Sequence, residues 1–157
     1  MKVPVTAAIR VLRAAKVPFE AHFYRYEPRG GTAVSARELA VPEKLLVKTL
    51  VFEDDRRQPL LVLMCGHLQV SAKNLARLLG LKSLVPCLPE TANKHTGYLV
   101  GGTSPFGTRK AMPVYMERRI LEEDKVYING GKRGFLVSMN PSDIQRVLQA
   151  ELVEVGV

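Results

Sequence analysis

Two glycine-rich segments and one lysine in an apolar strand are the residues of this sequence best suited to chemistry. "GGTSPFG", Gly101 to Gly107, packs three glycines and a proline into seven residues, and Arg109 and Lys110 follow it. "INGGKRG", Ile128 to Gly134, repeats the theme with Gly130, Gly131, Lys132 and Arg133. Glycine in an ordered element costs about 0.5–1 kcal/mol relative to alanine, so such clusters mark tight turns or a backbone that something approaches closely. Turns of this kind can point N–H groups at an anion or a developing oxyanion, and the adjacent cations would flank a phosphate. "NGGKRG" serves equally well as a plain hairpin turn. In "LLVKTLVF", strand alternation puts Lys48 on the same face as Leu46, Leu50 and Phe52. A lysine there either snorkels to water or marks a pocket that needs its charge. Tyr24 is similarly divided between half-buried packing and a site.

Other chemistries lack their signatures. His22, His67 and His95 are far apart, with no H-x-x-x-H or C-x-x-C spacing, and "CGH" at Cys65–His67 could bind a metal only with distant help. No metal site and no cofactor are expected. The G-x-S-x-G serine elbow is absent, and "GGKRG" has neither the spacing nor the Ser/Thr of a Walker A loop. Cys65 and Cys87 lie in apolar settings, "LVLMCG" and "LVPCLP", with no neighbouring base or cation. They read as free thiols, and neither is expected to be a nucleophile.

The 157 residues, 46% apolar, suffice for one domain over 1–157 with a substantial core. No apolar run is long enough for a membrane-spanning helix and no signal-peptide pattern opens the chain, so the expected compartment is the cytoplasm, away from membranes. A net charge of +8 suits a polyanionic partner such as nucleic acid.

These residues need a scaffold. Residues 6–16 predict a helix capped by Thr6, with Ile9, Leu12 and Ala15 inward and Arg10, Arg13 and Lys16 as a cationic stripe. "FEAHFYRY" alternates as a strand, with Phe19, Ala21 and Phe23 on one face and Glu20, His22, Tyr24 and Tyr26 on the other. "EPRGGTAV" reads as a turn and "SARELA" as a short helix capped by Ser35. "VKTLVFE" and "PLLVLMC" form a hairpin across "DDRRQ". "SAKNLARLLG" is a helix between Ser71 and Gly80, packing Leu75, Leu78 and Leu79. "PETANKH" is a further short helix. "MPVYM" is a strand, "VYIN" and "FLVSM" pair across the second glycine turn, and "PSDIQRVLQAEL" closes the chain as an amphipathic helix. Without regular βαβ alternation, the pattern predicts an α+β fold.

Lys48 in "VKTLVF", then "TGYLVGGTSPFG", then "INGGKRG", in this order, resemble the YbaK/EbsC group of aminoacyl-tRNA deacylases, relatives of the editing domain inserted in bacterial prolyl-tRNA synthetases. The resemblance runs from the first helix to the last. It implies a mixed, partly barrel-like sheet flanked by helices and hydrolysis of amino acids wrongly attached to tRNA. Misacylated tRNA is the implied partner, and prolyl-tRNA synthetase a candidate second one. Catalytic roles carry over to Lys48 and Gly101. Tyr24, Thr49, Gly102, Thr103, Ser104, Pro105, Gly130, Gly131, Lys132 and Arg133 carry over as substrate-binding. The group implies substrate assistance, in which the thiol of a misattached cysteine attacks its own ester. One departure bears on the substrate: the turn after the first strand, "PRGGTAV", has no aromatic where the group carries one. Removal of another small amino acid such as alanine therefore stays open, as do a non-catalytic tRNA-binding module and a small-ligand binding protein with incidental charge.

Overall fold

Thr6 starts the first helix by accepting a hydrogen bond from the Ile9 N–H at 3.1 Å, and Ala8, Ile9 and Leu12 bury its apolar stripe. In this computed structural model, which describes residues 2–157, that helix is α1 (Ala7–Ala14), and Arg10, Arg13 and Lys16 stay exposed. The chain continues through β1 (Glu20–Phe23), α2 (Gly31–Leu39), β2 (Leu46–Asp54), β3 (Pro59–Cys65), α3 (Ala72–Leu79), β4 (Leu84–Pro86) and α4 (Pro89–Thr96). It ends with β5 (Val114–Glu117), β6 (Val126–Lys132), β7 (Phe135–Met139), α5 (Pro141–Leu148) and β8 (Glu151–Val153). The result is one α+β domain.

The eight strands form one mixed, curved sheet in the order β1-β7-β6-β2-β3-β5-β8, with β4 beside β2. It does not close, since β1 and β8 end the order. The expected hairpin β2–β3 is antiparallel, with Lys48 opposite Met64 and Thr49 opposite Leu63. The main core packs α1 against Val47, Leu63, Ile128, Phe135 and Val137, with Tyr98 and Phe106 of the glycine segment inserted.

The other edge of β2 is interrupted. It pairs in parallel with β6 only at Leu46–Tyr127 and Val47–Ile128, and antiparallel with β4 only from Phe52 onward. Residues Lys48 to Leu50 thus have no strand neighbour on that side, which opens a gap in the sheet.

Four sequence expectations need correction. The second helix begins at Gly31, and Ser35 lies inside it; its hydroxyl bonds back to the Gly31 and Thr32 carbonyls, so it is no cap. Burial of Val34 and Ala36 carries the helix through the supposed turn. Leu78 is 62% exposed, while Leu75 and Leu79 do the packing. The last helix stops at Leu148, where Gln149 turns left-handed (φ 50°), and the remaining residues form β8. The strand β4 had no expected counterpart.

Glu117 fixes the C-terminal tail. Its fully buried carboxylate accepts the N–H groups of Val155 at 2.9 Å and Gly156 at 2.8 Å. Glu117→Ala leaves those donors unpaired and should destabilise the fold by about 3 kcal/mol. Urea denaturation checks this; a loss under about 0.5 kcal/mol would contradict it.

Candidate functional site

The glycine segment leaves α4 at Gly97 and is closed on itself like a clasp. The Tyr98 hydroxyl donates to the Phe106 carbonyl at 2.6 Å, and the buried Ser104 Oγ accepts the Phe106 N–H at 3.2 Å. Both ring side chains reach the main core, so the clasp is anchored from below. Pro105 is buried with Ser104, and Thr103 is half-buried, its hydroxyl directed to the Leu99 carbonyl.

The clasp docks on the second glycine turn. Asn129 Nδ2 donates to the Gly101 carbonyl at 3.1 Å, and Arg133 Nε to the Val100 carbonyl at 3.0 Å. A Cβ on Gly102 would lie 2.8 Å from the Arg133 backbone nitrogen, too close for any side chain. Gly101, at φ +93°, has the Tyr26 hydroxyl 2.6 Å from where its Cβ would be. The glycines are therefore needed for contact between two protein segments, independently of any ligand.

This changes the expected supply of backbone donors. The Gly131 and Lys132 N–H groups both bond to Asn129 Oδ1, at 2.7 and 3.2 Å, and the Gly102 N–H to the Leu99 carbonyl at 2.8 Å. The hairpin thus satisfies its own turn. Gly130 is buried against the Phe135 ring. The Gly101 and Thr103 N–H groups have no hydrogen-bond acceptor among the described residues.

Lys48 belongs to the adjoining cluster. Its ammonium donates to the Leu68 carbonyl at 2.6 Å, so it does not snorkel freely. Burial lowers its pKa, opposed by the carboxylate of Glu43. Glu43 in turn accepts from the Thr32 hydroxyl at 2.7 Å. Lys48 and Asn129 are the residues next along β2 and β6 after their last pair, on the face of Leu46 and Tyr127, where Tyr24 and α2 pack. By this register Asn129 adjoins Lys48 along the sheet and its side chain reaches the Gly101 carbonyl, while the lysine's own hydrogen bond goes to Leu68 in the loop after β3. Thr49 faces the other way, and its buried hydroxyl has no partner among the described residues. A buried hydroxyl without a partner calls for an ordered water or for a local shift that opens it to an acceptor.

Beside the clasp lies an open cleft of about 480 Å³ lined by Lys2, Phe23, Tyr24, Tyr26, Lys132, Arg133 and Phe135. The Arg133 guanidinium stacks over the Tyr26 ring at 5.2 Å. Tyr26 supplies an aromatic at the clasp from just upstream of "PRGGTAV". Its place on the Tyr24 face of the alternating segment was the available signal; Asn129 had none beyond preceding two glycines. Arg109 and Lys110 are exposed past the clasp, their N–H groups bonded to Thr96 and His95 carbonyls.

The thiols are poor nucleophiles. Burial pushes both Cys65 and Cys87 up to about 11, reinforced by Glu117 and Glu53 respectively. Contrary to the sequence reading, Cys87 does have a base nearby: its sulfur clusters with Glu53 and His95. Cys65→Ala should leave turnover within a few-fold; abolished chemistry in the folded variant would point to a thiolate nucleophile.

This chain is similar to several known proteins. The aminoacyl-tRNA editing domain matches residues 27–147, and the chain belongs to that family. It is an aminoacyl-tRNA deacylase by family, a hydrolase of the ester between amino acid and tRNA. An Enterococcus faecalis protein described as "Putative Cys-tRNA(Pro)/Cys-tRNA(Cys) deacylase EbsC" is 26% identical over 96% of this chain and 92% of its own. The proline–tRNA ligase of Nitratidesulfovibrio vulgaris is 31% identical over 67% of this chain but only 17% of the ligase. A crystal structure described as "a putative trans-editing enzyme for prolyl tRNA synthetase" superposes with a TM-score of 0.82, covering 99% of both chains at 21% identity, which speaks to the fold. No helix among the described residues is long and apolar enough to cross a membrane.

Proposed function

We propose that the protein removes cysteine from misacylated tRNA(Pro) in the cytoplasm, acting in trans to prolyl-tRNA synthetase. The observation that carries this reading is the gap in the sheet: Lys48 and Thr49 on an unpaired edge of β2, beside a glycine clasp with two unused N–H groups and a cationic aromatic cleft. The cleft suits the single-stranded acceptor end of tRNA, with Tyr24 and Tyr26 offered to bases and Lys132 and Arg133 to phosphates. The Gly101 and Thr103 N–H groups receive the ester carbonyl, and Lys48 the terminal ribose or phosphate. Thr49 bonds the aminoacyl group from below. Gly102, Ser104 and Pro105 hold the clasp in shape, and Gly130 and Gly131 let the hairpin meet it.

An aminoacyl ester is already activated, so positioning and charge stabilisation suffice. The substrate's thiolate attacks its own carbonyl carbon, the new C–S bond closing a four-membered thiolactone. The bond to the ribose oxygen breaks, that oxygen takes up a proton, and water then opens the ring to free cysteine. The enzyme contributes no covalent group. Similarity to the EbsC and proline–tRNA ligase sequences supports the choice of amino acid and tRNA. With an alanyl ester the same site would need water as nucleophile.

Binding of tRNA should be mainly electrostatic. Roughly four phosphate contacts predict a fall in affinity of about 10²-fold between 50 and 200 mM salt. Filter binding or fluorescence anisotropy reads this directly, and an affinity independent of salt would defeat the role given to the cationic cleft.

A further inference from the structure

Away from the clasp, Glu53 of β2, Cys87 just after β4 and His95 of α4 bring a carboxylate oxygen, a sulfur and an imidazole nitrogen within 4.8 Å of one another. We propose that these three residues form a binding site for a zinc-type divalent cation. The donor set is a mixed sulfur, nitrogen and oxygen one, which favours borderline-soft ions of this kind over magnesium or calcium. Bond lengths of 2.0–2.3 Å place the ligand atoms of a tetrahedral zinc roughly 3.3–3.7 Å apart. His95 Nε2 and Glu53 Oε2 already stand at 3.1 Å, so small side-chain adjustments complete the triangle. The side chains of His95 and Glu53 are only 15% and 21% exposed, and Val51, Leu61, Ala92 and Met112 pack around Cys87. Three protein ligands leave a fourth position for water.

The site would add metal bonds between β2, the residue after β4 and α4, where α4 now reaches Glu53 through the His95 hydrogen bond at 3.1 Å. The Cys87 N–H bonds to the Val51 carbonyl at 2.9 Å, fixing that ligand to β2. His95 lies in the last turn of α4, two residues before Gly97, and its carbonyl accepts the Lys110 N–H at 2.9 Å beyond the clasp. A bound ion therefore clamps both ends of the clasp's base to the sheet. This inference does not depend on which substrate the clasp serves.

The test is titration of untagged, chelator-stripped protein with Co²⁺, followed by competition with Zn²⁺. One equivalent should bind, with a thiolate-to-cobalt charge-transfer band and tetrahedral d–d absorption, and Zn²⁺ should displace it and raise Tm. Cys87→Ser should abolish the charge-transfer band. His95→Ala and Glu53→Gln should each weaken binding at least tenfold. His67→Ala, in an exposed residue, should change nothing. Circular dichroism checks that each variant is folded, and Glu53→Gln and Cys87→Ser, which nearly preserve side-chain shape, guard against a failure to fold. No cobalt spectrum at submillimolar metal, or binding unchanged in Cys87→Ser and His95→Ala, would overturn the proposal. In the latter case Glu53 and His95 are a hydrogen-bonded pair with a bystander thiol.

Discussion

Cysteine should leave tRNA(Pro) at least about 10²-fold faster than alanine or serine in the presence of this protein, because an intramolecular nucleophile gains a large effective molarity. A thiol with a pKa near 8.5 is partly thiolate at neutral pH; an alkyl hydroxyl is almost wholly protonated and a methyl group offers nothing. Pocket size cannot impose the same order, since a space for cysteine also admits the smaller alanine and the near-isosteric serine. The thiols of the protein do not compete for the role, both being held protonated by burial. Side-by-side single-turnover rates on cysteinyl-, alanyl- and seryl-tRNA(Pro) decide the matter. Alanine lost as fast as cysteine would defeat the thiol mechanism and leave a water-using deacylase. The Tyr26 ring lies against Gly101, so an aromatic stands at the clasp although the downstream turn has none.

Lys48→Ala should lower turnover by about 10²–10³-fold, the scale for loss of one preorganised electrostatic contact. The ammonium is already held at 2.6 Å from the Leu68 carbonyl, so its direction is set before substrate arrives. Removing it also deletes that charge-assisted hydrogen bond, at about 1.5–3 kcal/mol, which a domain of this size can lose and stay folded. Lys48→Met keeps most of the apolar stem against β3 and removes only the charge. Both variants should lose activity alike and remain folded, with Tm lowered by several degrees at most. A folded, fully active Lys48→Ala protein would make the lysine a structural clip on the loop after β3 and remove it from the site.

The sequence made the locally encoded elements legible. Thr6 and Ser71 cap the helices predicted for them, Gly80 ends the second in a left-handed turn, and the β2–β3 hairpin has the expected strands. The three-residue strands β4 and β8 were not legible, because each exists only through pairing with distant β2 or β5. Leu78 illustrates a different limit: its helical spacing predicts packing, yet it sits beyond the buried stripe.

At the site, residue types were more legible than their uses. The glycine clusters announced a close approach, but part of that approach is between the clasp and the β6–β7 turn, through Gly102 and the Arg133 backbone. The hairpin donors that looked available to an anion are taken by Asn129, a residue no motif singled out. Glu53, Cys87 and His95 are too far apart in sequence for any spacing rule, and only the fold assembles them.

Hydrolysis itself is the claim on which the rest depends. Purified protein should be added in catalytic amount to cysteinyl-tRNA(Pro) labelled in the amino acid, with release followed against the spontaneous rate and against correctly charged prolyl-tRNA(Pro). Multiple turnovers of cysteine release far above the spontaneous rate are expected, with prolyl-tRNA(Pro) left intact. Cysteine released only at the spontaneous rate, by a protein that still binds tRNA, would contradict that claim.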